Sequence, residues 1–404
     1  MIENPNFEYA RQLLLDKVSA LGAESIALSE CGGRVLALNL VAKENVPAFD
    51  RSPYDGYAFR AVDTQQASKE NPVVLRILEE VPAGAVPTVP VIPGTATKVL
   101  TGAPIPEGAD AVIMYEKTEF TQDTVSIFAP QKSGSNIVCA GEDIAKGSIL
   151  AYAGTVIDPG LAGTLAAQGK ALPQVFLRPK VAVISTGSEL VEADEVPRSG
   201  KIRNSNRYML EAALNEIGCE AVYYGIAKDT VEGIADALTK ALECCDAIVI
   251  TGGVSVGDYD FTPAAMDAIG AEILFRGVDM KPGMACAYAL KNGKLICGLS
   301  GNPASSLTNF YGLALPALKK LCGRKECLPR NIFVTLLSGF GKKSPTTRFL
   351  RGKLVLDNGT VSMELPKDQG NVVLSSTIGC NIMAVVPAGS GAVEAGTVLK
   401  GFMI

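Results

Sequence analysis

The stretch "TGGVSVGDYD" (251–260) puts three glycines, Gly252, Gly253 and Gly257, directly behind the apolar run "AIVIT" and closes with two carboxylates, Asp258 and Asp260. Glycines let backbone N–H groups approach a phosphate with no Cβ in the way, and Ser255 adds a hydroxyl among them. Thr262 and Pro263 read as the cap and first residue of a helix, whose N-terminus favours an anion. "GLSGNPASS" (298–306) repeats the pattern, with Asn302 as cap, Pro303 opening the helix and Ser305 in its first turn. Glu189 in "STGSE" and Asp229 in "AKDT" follow two further apolar runs, as Asp260 does. Acids beside a phosphate repel it unless a cation intervenes. Mg²⁺ held by Asp229 and Asp260, with Glu189 as a third candidate, together with substrate phosphate, resolves the juxtaposition. Asp258 reads as solvent-facing. Lys281, ahead of a Pro-Gly turn, reads equally as a point charge completing an anion site or as an ordinary surface lysine. Taken singly, each loop is also a tight βα turn and each acid a helix cap or solvated loop residue. Their number at one edge is what favours a phosphate site.

That shared edge requires a particular scaffold, because ligands of open α/β sheets bind beyond the carboxyl ends of the strands. Strand "VAVIST" precedes helix "NRYMLEAALNEIG", strand "AVYYGIA" precedes helix "TVEGIADALTKAL", and strand "AIVIT" precedes helix "TPAAMDAIG". "EILFRGV", a hairpin "CAYALKNGKLICG" and a helix over 303–321 follow. The alternation predicts a central, doubly wound, mostly parallel α/β domain over 179–327. Residues 46–145 are rich in Val, Pro, Gly and Thr and predict an inserted small β domain. Residues 1–45 and 146–178 flank it as one discontinuous N-terminal helical and extended segment, with helices over 7–20 and in "GLAGTLAAQG". Residues 328–404 predict a small C-terminal β barrel with a "DNG" hairpin turn. The expected fold class is therefore multidomain α/β and β. Within the insertion, "FDRSPYDGYAF" (49–59) sets Asp55 in an exposed turn, and "TGAPIPEGADAV" (101–112) is a second rigid loop. From their residues alone both read more readily as structural turns than as site loops.

The 404-residue chain has no histidine, which removes Ser-His-Asp and Cys-His catalysis and His-ligated zinc. Proton transfer falls to carboxylates, Lys, Tyr, Cys or a metal-bound water. A net charge of −5 offers no basic field for nucleic acid or an anionic membrane. Ten scattered cysteines without a CxxC pair read as thiols of a reducing compartment. The N-terminus lacks the basic region of a signal peptide and no stretch reads as a membrane span, so a cytoplasmic protein is expected.

The motifs "SPYDGYA", "TGAPIPEGADAVIMYE", "GEDIAKG", "VAVISTGSELV", "SNRYMLEAAL", "TGGVSVGDYD", "KPG", "GNPASS" and "RFLRGKL" occur together and in one order. In this the chain resembles the molybdopterin molybdenumtransferase family, bacterial MoeA and the C-terminal domain of gephyrin. The resemblance implies a homodimer of four-domain subunits. It also implies a reaction in which adenylylated molybdopterin and molybdate give molybdenum cofactor and AMP with Mg²⁺. It places the functional acids on Asp55, Glu189, Asp229 and Asp260, with Thr101 in the second loop, and the loops at 49–59 and 101–112 against the α/β domain of a partner subunit. Lys281, Arg348, Ser375 and Ser376 would then bind the oxyanion. A molybdopterin adenylyltransferase and recipient molybdoenzymes are the implied partners. The chain departs from the family pattern at Tyr54, Ser188, Ser300 and Met284, the last standing where a second lysine is usual. One charge lost at contact distance is worth up to about 4 kcal/mol at an effective dielectric of about 20, before solvation costs. Two other readings fit the scaffold: a molybdopterin adenylyltransferase-like enzyme and a non-catalytic molybdopterin-binding scaffold.

Overall fold

The computed structural model describes residues 2–255 and 260–404. The chain forms two compact units, one of Met1–Leu38, Ala153–Pro159 and Leu172–Ile404, the other of Asn39–Tyr152 and Gly160–Ala171.

The first unit is built on a seven-stranded sheet. Its strands are β1 (Ile2–Glu3), β2 (Lys180–Thr186), β3 (Glu220–Ala227), β4 (Ala247–Thr251), β5 (Glu272–Arg276), β6 (Cys286–Lys291) and β7 (Lys294–Leu299), in the order β1-β5-β6-β7-β4-β2-β3. The strands β7, β4, β2 and β3 run parallel, whereas β6 is antiparallel to both its neighbours, as the "KNGK" hairpin requires. β1 adds to the far edge in parallel with β5, an element that sequence periodicity did not suggest. The strand β2 shows why its apolar run is continuous. Val181 and Val183 face one core, and Ala182 and Ile184 face the other, because successive side chains alternate across a sheet covered on both sides.

The helices supply those covers. α1 (Phe7–Lys17), α2 (Ser205–Glu216), α5 (Pro303–Asn309) and α6 (Leu315–Leu321) bury Leu14, Leu210, Leu214 and Leu318 on one face. α3 (Val231–Cys244) and α4 (Phe261–Ala268) bury Ile234, Leu238 and Met266 on the other. Side chains cap three of these helices: Asn6 accepts from Tyr9 N at 2.8 Å, Asn204 from Arg207 N at 3.3 Å and Thr230 from Gly233 N at 3.1 Å. α1 stops three residues before the expected 20, where Val18 turns extended to bury itself in the core. The expected helix over 303–321 is interrupted by one π turn, Phe310–Ala314. Pro316, which has no N–H to donate back into the helix, follows at once.

Beyond α6 the chain closes a five-stranded barrel: β8 (Asn331–Leu336), β9 (Arg348–Asp357), β10 (Thr360–Glu364), β11 (Ile382–Val386) and β12 (Val398–Met403), in the order β8-β10-β9-β11-β12. Val334, Leu350, Met363 and Ala384 fill it. The fold is thus mixed α/β with a closed small barrel.

The second unit carries a six-stranded sheet, ordered Ala111–Met114, Gly56–Phe59, Thr95–Val99, Val73–Val81, Thr124–Ile127 and Thr118–Phe120. Tyr57, Phe59, Leu75, Val125 and Ile127 form its core. Gln168, in this unit, accepts from Lys43 N at 2.8 Å and Glu44 N at 3.2 Å.

Candidate active site

The carboxyl ends of β2, β3, β4 and β7 open into one cavity of about 1020 Å³ in the first unit. Each strand delivers what its terminal loop encodes. Thr186 ends β2 and Gly187 and Glu189 follow it, Asp229 follows β3, Gly252, Gly253, Ser255 and Asp260 follow β4, and Asn302, Pro303 and Ser305 follow β7. Lys281 also lines it. Gly257 and Asp258 lie outside the described residues.

Two glycines are fixed by close approach. An added Cβ at Gly252, where φ is 104°, would lie 2.3 Å from the Thr186 carbonyl oxygen. One at Gly187 would lie 2.7 Å from Glu189 Oε1, so the glycine makes room for the carboxylate. The Thr186 hydroxyl donates to Asp229 Oδ1 at 2.9 Å, orienting that acid across the sheet edge. Thr262 is not the helix cap that its position suggested. α4 begins at Phe261 with Asp260 at the cap position, because the Thr262 hydroxyl is committed to the Gly252 carbonyl at 2.9 Å. Asn302 does precede α5, with Pro303 opening it, and the backbone N–H of Asn302 donates to Ser300 Oγ at 3.2 Å.

The segment that leaves β5 contributes too. Arg276, the last residue of β5, and Lys281 and Met284 beyond it line the cavity. Met284 is 47% exposed and brings no charge there. The Lys281 backbone is strapped to the barrel, donating to Thr347 O and accepting from Phe349 N, both at 2.8 Å. Buried Asn309 donates to Gly283 O at 2.8 Å and accepts from Tyr288 Oη at 2.6 Å, holding the Pro-Gly turn from beneath.

Other expected residues lie elsewhere. Arg348 is buried and does not line the cavity. Its Nε donates to Ser344 Oγ at 2.9 Å, its guanidinium lies 5.0 Å from the Phe340 ring centroid, and burial lowers its pKa. Neither Ser375 nor Ser376 lines it either. Ser376 accepts from Nε of Arg351 at 3.0 Å, and that arginine, 2% exposed, also donates to the Gly370 carbonyl at 2.9 Å. This anchors a loop whose Asn371, Val372 and Leu374 do line the cavity, and Asn371 O accepts from Ala304 N at the start of α5. "RFLRG" contains both arginines, and nothing local says which one is buried against the loop.

Asp55 and Thr101 lie in the second unit and bond to each other. The Thr101 amide and hydroxyl donate to Asp55 Oδ1 at 2.6 and 2.7 Å, which holds the carboxyl below its ordinary pKa. The sequence marks this stretch as a helix and a motif but gives no site role to the residues that open α2. Asn204, Ser205 and Asn206 all line the cavity. Asn204 donates to Ser185 Oγ at 3.0 Å and Tyr223 Oη at 3.2 Å, and that phenol donates to Glu192 at 2.6 Å. Burial, then the bond to Glu192, raises the Tyr223 pKa.

Among the described residues no three carboxylate, thiol or imidazole groups converge to hold a metal ion. Mg²⁺ asks for less than that. It keeps several waters and takes one or two carboxylates plus substrate phosphate oxygens, which the oxygen donors of this wall suit.

Residues 6–169 match the MoeA N-terminal region (domain I and II), and residues 182–320 match a family described as "Probable molybdopterin binding domain". The chain is 39% identical over 389 residues to a molybdopterin molybdenumtransferase of Staphylococcus aureus, covering 96% of this chain and 92% of that one. The chain belongs to the molybdopterin molybdenumtransferase family. A Staphylococcus epidermidis member is 37% identical over 375 residues, covering 93% and 90% of the two chains. A solved molybdopterin biosynthesis moeA protein of Pyrococcus horikoshii OT3 superposes with a TM-score of 0.85 at 32% identity, over 99% of this chain and all of that one. The four strand ends that open into the cavity all fall inside the matched molybdopterin-binding region. Among the described residues no helix is long and apolar enough to cross a membrane.

Proposed function

We propose that the chain is a molybdopterin molybdenumtransferase, inserting molybdate into adenylylated molybdopterin and releasing AMP. The observation that carries this is the near full-length similarity to curated enzymes of that name, 39% identical over 96% of the chain. The cavity suits the substrate. Its glycine loop and the N-terminal turn of α5 offer backbone N–H groups to a phosphoanhydride. Asp229 and Asp260, with Glu189 as a third acid lining the same cavity, would hold Mg²⁺. When bound, that ion neutralises phosphate charge and polarises the bond to the departing AMP. Lys281 and Arg276, which line the same cavity, attract the incoming oxyanion, and Arg276 offsets the charge missing at Met284. Thr186 keeps Asp229 oriented.

We read the chain as four domains, 1–45 with 146–178, 46–145, 179–327 and 328–404, acting in the cytoplasm as a homodimer. Asp55 and Thr101 of one copy then complete the cavity of the other. A molybdopterin adenylyltransferase supplies the substrate and molybdoenzymes receive the product. The test is reconstitution: a cofactor-free molybdoenzyme is incubated with this protein, adenylylated molybdopterin, molybdate and Mg²⁺. Activation that depends on all four components supports the assignment, and activation equal to that without the protein rejects it.

A further inference from the structure

Asn309, the last residue of α5, is a fully buried polar side chain beside Tyr288 and Met280 of the apolar core. Both ends of its amide are occupied. Oδ1 accepts from the Tyr288 phenol at 2.6 Å, and Nδ2 donates to the Gly283 carbonyl at 2.8 Å and lies 3.8 Å from Met280 Sδ. Met280 and Gly283 flank Lys281 and Pro282, so one amide meets the turn on both sides of the lysine. The arrangement has a direction. A carbonyl only accepts, so Nδ2 must face Gly283 and Oδ1 the phenol. Burial raises the Tyr288 pKa well above its ordinary value, so the phenol keeps the proton it donates. Tyr288 is itself fixed, its ring stacked on Phe275 of β5 with centroids 5.0 Å apart. The helix also packs closely here: a Cβ added at Gly283, where φ is 102°, would lie 3.2 Å from Asn309 Cβ and from Ser305 O. A buried amide adds little stability over an apolar residue of its shape, because its bonds replace bonds to water. It does fix where the turn sits.

We propose that Asn309 is a positioning residue for oxyanion binding, acting through Lys281 and supported by Tyr288. The inference rests on the reading that Lys281 attracts the incoming molybdate. The Lys281 backbone is already tied to the barrel through Thr347 and Phe349, and Asn309 holds the same turn from the helix. A lysine is a point charge on a flexible stem, so its backbone must be set for the charge to be delivered to one place. With Met284 where a second lysine is usual, residues 280–284 carry one charge, that of Lys281, and binding by this turn depends on where that charge stands.

The experiment measures AMP release from adenylylated molybdopterin by the full chain in Mg²⁺, with KM determined for molybdate and for the adenylylated substrate. Asn309→Leu and Tyr288→Phe are each made in the wild type and in a Lys281→Gln background. Loss of one hydrogen bond that sets a binding group is worth about tenfold. Asn309→Leu is expected to raise the molybdate KM about tenfold and to leave the KM of the adenylylated substrate unchanged. In the Lys281→Gln background the same substitution adds less than about twofold, because residues that act through one another are not additive. Tyr288→Phe shifts the molybdate KM in the same direction by less, and it carries the comparison should the leucine variant not fold. Equal rises in both backgrounds, or equal rises for both substrates, would mean that Asn309 only braces the core and would overturn the proposal. An unchanged molybdate KM in Asn309→Leu would overturn it equally. Lys281→Gln alone with an unchanged molybdate KM removes the reading of Lys281, and the inference falls with it. A normal loss in Lys281→Gln, without the selective and non-additive loss in Asn309→Leu, removes this inference only.

Discussion

A single threonine decides how Asp55 behaves. Two donors from Thr101 converge on one carboxylate oxygen, and both favour the ionised form. The folded pKa lies below the unfolded one, so whatever stability the pair adds is present above the ordinary carboxylate range and is lost as pH falls through the folded value. Thr101→Ala is expected to move the Asp55 titration upward, read by carboxyl carbon NMR, and an unmoved midpoint would show that Thr101 does not hold it. At this scale the sequence was informative where a residue type has few uses. Acids and glycines at several strand ends predicted one shared edge, and Glu189, Asp229 and Asp260 do line one cavity. It was uninformative where packing chooses between equivalents. Arg348 and Arg351 sit three apart on β9, and only the fold decides that Arg351 anchors the cavity-lining loop while Arg348 packs on Phe340.

The elements that position these residues follow from alternation. Four parallel strands bring four loops to one edge, so the edge could be inferred before any contact was known. The hairpin through "KNGK" and the closed barrel followed likewise from period-two runs and turn residues. The edge strand and the start of α4 did not. The edge strand β1 is only two residues long, too short for periodicity to register. The start of α4 was misplaced because Thr262 and Pro263 carry the usual cap signature, yet the Thr262 hydroxyl serves the Gly252 carbonyl instead. That bond ties Gly252 to the first turn of α4. Gly252→Ala would force a methyl group within 2.3 Å of the Thr186 carbonyl, at a φ that L residues avoid. The expected cost is at least about 2 kcal/mol in denaturant unfolding, together with weakened pyrophosphate binding. Unchanged stability would mean that the loop yields.

For the whole molecule, the second unit holds Asp55 and Thr101, whereas the cavity lining comes from the first. Our account makes the functional unit a pair of chains, each supplying that acid to the other's cavity. Mixing Asp55→Ala with Asp229→Ala subunits, each inactive alone, then restores about one quarter of wild-type activity, the statistical yield when half the dimers are mixed and each mixed dimer keeps one intact site. No restoration would place Asp55 and Asp229 of one site in the same chain. One chain's residue order does not show what a second copy would supply, and from their residues alone the loops at 49–59 and 101–112 read as structural turns. The central claim remains chemical, and the most direct measurement is AMP released from purified adenylylated molybdopterin in Mg²⁺, with and without molybdate. The account predicts release that requires molybdate, falls away on chelation of Mg²⁺ and is lost in Asp229→Ala. Release that ignores molybdate, or no release by the wild type, would contradict it.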